Sequence, residues 1–307
     1  MDRNSVSWRG YVPASPTPFT IDGAVDEGAL GKLMNHYVDA GVHGVLINGS
    51  SGEWWAMTES ERNRVASVAI EAVDGRIPVI VGCTAFTAKA AIALASDAQR
   101  AGADGVLFTP PPYAHPTQEE IFNHYRLIDS EVELPMVAYN WPRGTAVEIE
   151  VDTAGRIAEL EHVVALKNST ASTDSVLAYI DQLADRVRLF VALISPIGLG
   201  ILHQSGGDGY IDGGGVGAPY AVPFFEALWS GDLDAARGHA AQWRDLTKGW
   251  INADFSGRFA APSAQLKAAM KMLGQPGGEV RQPLLPLTDD GLLAELQAHL
   301  ARSGLLQ

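Results

Sequence analysis

The sequence predicts one α/β domain, a (β/α)8 TIM barrel with a C-terminal helical extension. Three observations carry that reading. Short β-branched runs alternate with longer amphipathic segments, with Gly, Pro or Asp at the joints. The short runs are continuously apolar, as in a parallel sheet buried on both faces. Eight such units precede Ala218, which fits a closed barrel better than an open sheet. At 307 residues and 47% hydrophobic content the chain is long and apolar enough for a core of that size.

The first apolar run is Tyr11–Ser15, and a helix pattern follows from Asp26 with Leu30, Leu33, Met34, Tyr37 and Val38 on one face, stopped by Gly41. Gly44–Asn48 reads as strand two, and Thr58-Glu59-Ser60-Glu61 opens the next helix as a capping box. Pro78–Gly82 and Asp104–Phe108 are strands three and four, followed by helices over Thr87–Ala101 and Thr117–Asp129. Leu134–Tyr139, Val163–Lys167, Arg188–Val191 and Gly209–Ile211 complete the eight, with helical segments at 152–160, 172–184 and 196–204. Residues 1–218 are thus expected to hold the strands and most barrel helices. Residues 219–307 are expected to hold the last barrel helix and the extension, with helices at 232–250, 263–273 and 289–303, packed as one unit with the barrel.

Composition excludes several classes of function. Lys+Arg 22 against Asp+Glu 36 gives a formal charge of −14, a field that repels nucleic-acid phosphates and anionic lipid. One cysteine, Cys83, rules out an internal disulfide framework and a Cys-rich metal site. The N-terminus lacks an apolar stretch of signal-peptide length, and no segment approaches the roughly 18 apolar residues of a membrane span. A soluble, cytoplasmic protein is expected. The eight histidines contain no pair three or four residues apart and no His-Glu-x-x-His, so a metal-ligand helix is absent from the pattern.

In such barrels the reactive groups sit at the C-terminal ends of strands. Lys167 is the most informative of them. It is one of six lysines, the others lie in or near expected helices, and it alone closes an apolar strand. Burial there disfavours the ammonium and lowers its pKa, leaving the neutral amine needed for a Schiff base with a carbonyl substrate. A lysine that snorkels to the rim or pairs with a carboxylate is the competing reading. Tyr139 ends the adjacent strand, about 4.8 Å away, where its hydroxyl could lie beside the amine and move protons; otherwise it plugs the mouth. Ser50 and Ser51 follow Gly49 on a tight turn, where hydroxyls and N–H groups suit a substrate carboxylate and a proton relay to Tyr139. Taken alone, that turn is a simple loop.

Together, Gly49-Ser50-Ser51-Gly52-Glu53, Tyr139-Asn140-x-Pro142 and Leu166-Lys167 resemble the dihydrodipicolinate synthase/N-acetylneuraminate lyase family of pyruvate-dependent class I aldolases. Pro16-Thr17-Pro18-Phe19 with Asp22-Gly23, and Gly75-Arg76-x-Pro78-Val79, extend the resemblance over residues 10–300. It implies a homotetramer of barrels and no cofactor beyond a covalent imine between Lys167 and pyruvate or another 2-oxo acid. It also implies proton transfer by Tyr139 and carboxylate binding by Ser50 and Ser51. Tyr113 resembles the aromatic that the synthases lend across a subunit interface, and Ile211 matches a position whose backbone lies near the imine. The implied function is a Schiff-base carbon–carbon lyase or synthase, dihydrodipicolinate-synthase-like or a related 2-keto-3-deoxy-acid aldolase or dehydratase, with an aldehyde as possible second partner. A catalytically silent binding relative and a metal-dependent barrel aldolase are the alternatives.

Departures bear on the second substrate. Synthases of the resembled family usually carry Arg two residues after the motif proline, to hold an aldehyde's carboxylate. Here that position is Gly144, and Arg143 comes one residue early, so the clamp is expected to be lost or re-aimed. Both family threonines are serines. Trp54, Trp55 and Trp141 suggest a pocket for an apolar or aromatic second substrate, or else packing between loops. Ala192–Pro196 replaces a polar stretch after strand seven. The glycine-rich run Gly206–Gly215 reads as tight packing ahead of a phosphate site, and Asp212 could stand behind the site or face Arg143.

Overall fold

The computed structural model describes residues 1–252 and 256–306. Eight parallel strands close into a barrel in sequence order: β1 (Gly10–Ala14), β2 (Val45–Ile47), β3 (Val79–Gly82), β4 (Gly105–Phe108), β5 (Met136–Asn140), β6 (Val163–Asn168), β7 (Arg188–Val191) and β8 (Gly209–Gly213). Around it lie α1 (Glu27–Asp39), α2 (Glu59–Val73), α3 (Ala88–Ala101), α4 (Gln118–Asp129), the single turn α5 (Pro142–Thr145), α6 (Val151–Ala158), α7 (Thr173–Leu183), α8 (Pro196–Ser205) and α9 (Ala218–Ser230). The helices α10 (Leu233–Thr247), α11 (Pro262–Met272) and α12 (Asp290–Arg302) follow. No helix among the described residues is long and apolar enough to cross a membrane.

Local chemistry explains the boundaries. Thr58 with Glu61 and Thr117 with Glu120 form reciprocal capping boxes at the starts of α2 and α4, satisfying amides that have no partner within the helix. Asp26, Thr87 and Ser172 cap α1, α3 and α7 through their side-chain oxygens. The helix α9 has no expected boundaries because its sequence lacks a helical stripe. Seven of its residues are buried and Pro223 lies inside it, so packing against the barrel and α10 specifies the helix.

Two apolar layers form. Outward strand residues such as Val45, Val79, Val106 and Leu189 pack under the helices. Inward residues Val12, Ala14, Leu46, Ile80, Leu107, Val137, Phe190 and Ile211 fill the barrel, with Trp8 packed among them. Side chains alternate along each strand except in β6. Met136 pairs with Val163 but Val137 pairs with Ala165, so Val164 is an extra residue. Val164 and Ala165 both belong to the interior cluster, while Val163 and Leu166 lie outside. This β-bulge resets the phase, so Lys167 aligns with Tyr139 and both face inward. In the glycine-rich run after β8, side chains of Leu266 and Tyr37 occupy the space that Cβ atoms on Gly214 and Gly215 would need, which accords with tight packing.

The C-terminal extension is tied to the mouth by a buried ion pair. Lys267 Nζ donates to Glu53 Oε1 at 2.6 Å, to the Thr17 carbonyl at 2.8 Å and to the Glu279 carbonyl at 2.7 Å. Three ammonium donors meet three acceptors, with Glu53 0% and Lys267 4% exposed. The other Glu53 oxygen accepts from the Arg281 amide, and Phe19 lies beneath both Lys267 and Arg281. Removing one partner strands a charge in the interior. Lys267→Met is therefore expected to cost about 3–5 kcal/mol in urea unfolding, and Glu53→Gln combined with it to recover part of that loss. A single substitution that leaves the urea midpoint unchanged would contradict this role.

Candidate active site

Lys167 and Tyr139 are register partners on β6 and β5, at the C-terminal end of the barrel interior. Each is 6% exposed. Nζ lies over the Tyr139 ring, 4.1 Å from its centroid. Burial lowers the Lys167 pKa to about 7, against the pull of the Asp212 carboxylate, which favours the ammonium. A good part of the amine is thus unprotonated at neutral pH. Burial also raises the Tyr139 phenol, opposed by a hydrogen bond with Ser169, so the hydroxyl keeps its proton. Ser169 was not among the expected site residues, although it lies two positions after the lysine.

The strand ends are braced from outside. Asn140 and Asn168, register partners one step beyond the lysine pair, are joined by a 3.0 Å bond from Asn140 Nδ2 to Asn168 Oδ1. Asn140 Oδ1 accepts from the Ile149 amide at 2.9 Å. Tyr125 donates its hydroxyl to the Phe108 carbonyl at 2.8 Å and accepts from the Tyr139 amide. On the other side of the mouth Arg62, 4% exposed, donates to the Gly82 and Thr84 carbonyls at the end of β3.

Ser50 and Ser51 begin a 3-10 turn that follows β2. The Gly52 carbonyl accepts from Thr17 Oγ1 at 2.8 Å, and Glu53, anchored to Lys267, ends the turn in the left-handed conformation with φ 54°. Two anchors therefore fix the turn while both serine side chains remain half-buried. Among the described residues neither serine hydroxyl has a hydrogen-bond partner within the protein. Ser51 Oγ lies 3.0 Å from where a Cβ on Gly213 would stand, so it reaches across to the end of β8. Gly49 is buried at the start of the turn, and Ile211 projects into the interior from β8, 2% exposed.

The remaining expected residues lie farther out. Tyr113, on the loop after β4, is 88% exposed and has φ 74°. Arg143 is exposed on α5. Asp212 points out of the barrel. Tyr11 donates to its Oδ2 at 2.9 Å and Tyr210 bonds to it as well, so it stands behind the site and burial raises its carboxyl pKa. Trp141 stacks on Tyr139 with centroids 5.9 Å apart and planes 10° apart, Trp54 leans on Phe86 at 6.2 Å, and Trp55 is exposed. Cys83 is buried with its thiol pushed up to about 12, which removes it as a nucleophile. Among the described residues no group of three or more His, Cys, Asp or Glu side chains is arranged to hold a metal ion.

Comparison with known proteins places the chain in a family with this fold. Residues 7–302 match the family model described as the dihydrodipicolinate synthetase family. The chain is 34% identical over 303 residues to the 4-hydroxy-tetrahydrodipicolinate synthase of Hyphomonas neptunium, covering 97% of this chain and 99% of that protein. Among solved structures, dihydrodipicolinate synthase from Aquifex aeolicus superposes with a TM-score of 0.86 at 30% identity, covering 97% of this chain and 99% of that one. The chloride-inhibited dihydrodipicolinate synthase from Acinetobacter baumannii, solved with pyruvate, gives 0.84 at 27% identity, with 97% and 99% coverage.

A depressed lysine pKa is also a statement about stability. The unfolded lysine holds its proton up to about 10.5 and the folded one releases it near 7, so the folded state binds fewer protons between these values. Lowering the pH through that window therefore destabilises the fold. Lys167→Met is expected to raise the thermal midpoint, most at pH 7 and below, with the gain shrinking toward pH 10.5. A lower midpoint for the variant at pH 6 would contradict the burial of an unpaired amine.

Proposed function

The chain belongs to the dihydrodipicolinate synthetase family, and from that premise we propose that Lys167 forms an imine with pyruvate or a related 2-oxo acid and so makes or breaks a carbon–carbon bond. The observation that carries the assignment to Lys167 is its inward, register-matched position over Tyr139, with a pKa near 7. The neutral amine attacks C2 of the oxo acid, forming the N–C bond while the C=O π bond opens and a proton passes from the nitrogen to that oxygen. Loss of that oxygen as water, with a proton delivered by Tyr139, leaves the iminium. The ring face of Tyr139 beneath the nitrogen favours the cation that develops. The iminium then accepts the electron pair from C3 when C3 gives up a proton or a carbon substituent.

Tyr139 suits the donor role because its phenol is protonated and hydrogen-bonded to Ser169. Ser50 and Ser51 supply hydroxyls to the oxo-acid carboxylate, with the anchored turn holding both in place. Ile211 lines the same interior, and Asp212 modulates the amine through its charge from outside the barrel. The reaction uses no cofactor beyond the imine. A cytoplasmic homotetramer belongs to the same reading, since Tyr113 is exposed where a neighbouring subunit could use it.

Borohydride reduction in the presence of pyruvate, followed by peptide mass mapping, tests the assignment. The reduced adduct is expected on Lys167, and a peptide left unmodified there would sink it. Tyr139→Phe is expected to lower kcat by about 10²–10⁴-fold in pyruvate–aldehyde condensation, because a ring without a hydroxyl cannot pass the proton. Near-normal turnover in this variant would remove Tyr139 from the proton path.

A further inference from the structure

The turn after β5 is built around an indole. Trp141 lies parallel to the Tyr139 ring, packs against the barrel-interior cluster, and immediately precedes α5. Its six-membered ring occupies the space next to Gly144, so a Cβ at that position would overlap the ring edge at Cζ3 and Cε3. Gly144 is thus the counterpart of the tryptophan: any larger residue would displace the indole from Tyr139. The polar groups of the turn are turned inward on themselves. The Gly144 and Thr145 amides both donate to the Trp141 carbonyl, and Thr145 Oγ1 donates to the Trp141 and Val147 carbonyls. Trp141 therefore adds an aromatic surface next to Tyr139, the register partner of Lys167, and the amides of its turn are already engaged.

We propose that Trp141 determines the second substrate, which presents a planar apolar group, an aryl aldehyde or the aryl-bearing aldol that releases it, and no carboxylate at this surface. This inference rests on the Lys167 imine. An indole face carries negative quadrupole density and no N–H donor, so a carboxylate pressed against it would lose hydration with nothing in return. An aryl ring gains buried contact and an offset-stacked or edge-on partner at the same place. In the condensing direction, the enamine C3 forms a bond to the aldehyde carbon, the aldehyde oxygen takes a proton, and water releases the 4-hydroxy-2-oxo acid and free Lys167. Cleavage runs the same bonds in reverse. The rim carries further aromatics on the loops after β2, β3 and β4, at Trp54, Phe86 and Tyr113.

The test compares kcat/KM for benzaldehyde with that for succinic semialdehyde, each with saturating pyruvate. Their ratio does not depend on the fraction of folded enzyme. It is expected to favour benzaldehyde in the native protein, to fall by roughly fivefold or more in Trp141→Leu, and to return most of the way in Trp141→Phe. A native ratio below one, or a ratio unchanged in Trp141→Leu, would overturn the inference. Borohydride trapping of pyruvate separates the two levels. Labelled Lys167 with an unfavourable ratio defeats the Trp141 assignment alone, whereas unlabelled Lys167 defeats the imine and this inference with it.

Discussion

One extra residue in β6 decides what this barrel can do. If Val164 paired with Val137 in regular register, Leu166 would face Tyr139, and Lys167 would lie among the helices. The bulge places two consecutive side chains inside and turns the lysine inward at the level of the tyrosine. Burial then supplies the chemistry, because an amine held in an apolar ring of strands gives up its proton near neutrality. The stacked Trp141, the anchored serine turn and the asparagine clasp all take their meaning from that position.

Two buried lysines show how partners decide the outcome of the same desolvation. Lys267 meets a carboxylate and two carbonyls, one acceptor for each ammonium proton, and acts as a cationic tie between the extension and the mouth. Lys167 has an aromatic face and a carboxylate on the far side of the barrel wall, and among the described residues no hydrogen-bond acceptor. The first arrangement pairs a charge; the second gives up stability to hold an unpaired amine, which is the nucleophile of the proposed imine chemistry. The tie also fixes Glu53, and through it the turn bearing Ser50 and Ser51, so Lys267 supports the site proposed around Lys167.

Much of this is legible in the sequence. All eight strands lie within two residues of the apolar runs, because a barrel strand buried on both faces has to be continuously apolar. Lys167 and Tyr139 stand out as polar residues closing such runs. What sequence does not display is phase: Val163-Val164-Ala165-Leu166 is apolar throughout, so nothing in it marks a bulge. Lys267 reads as an ordinary helix residue, because its partners Thr17, Glu53 and Glu279 are distant in sequence. Trp141 and Gly144 appear as two separate oddities, and only the packing shows that each requires the other. Ser169 escapes for a similar reason, since a serine after a strand is usually just part of a loop.

The claim that carries the most weight is the neutral amine, and it can be observed directly. With lysine labelled at Cε, an NMR pH titration resolves six side chains, and Lys167→Ala identifies the signal that matters. The account expects that signal to titrate near pH 7 in the ligand-free protein. A midpoint near the ordinary lysine value of about 10.4 would show an ammonium at the base of the site and contradict it.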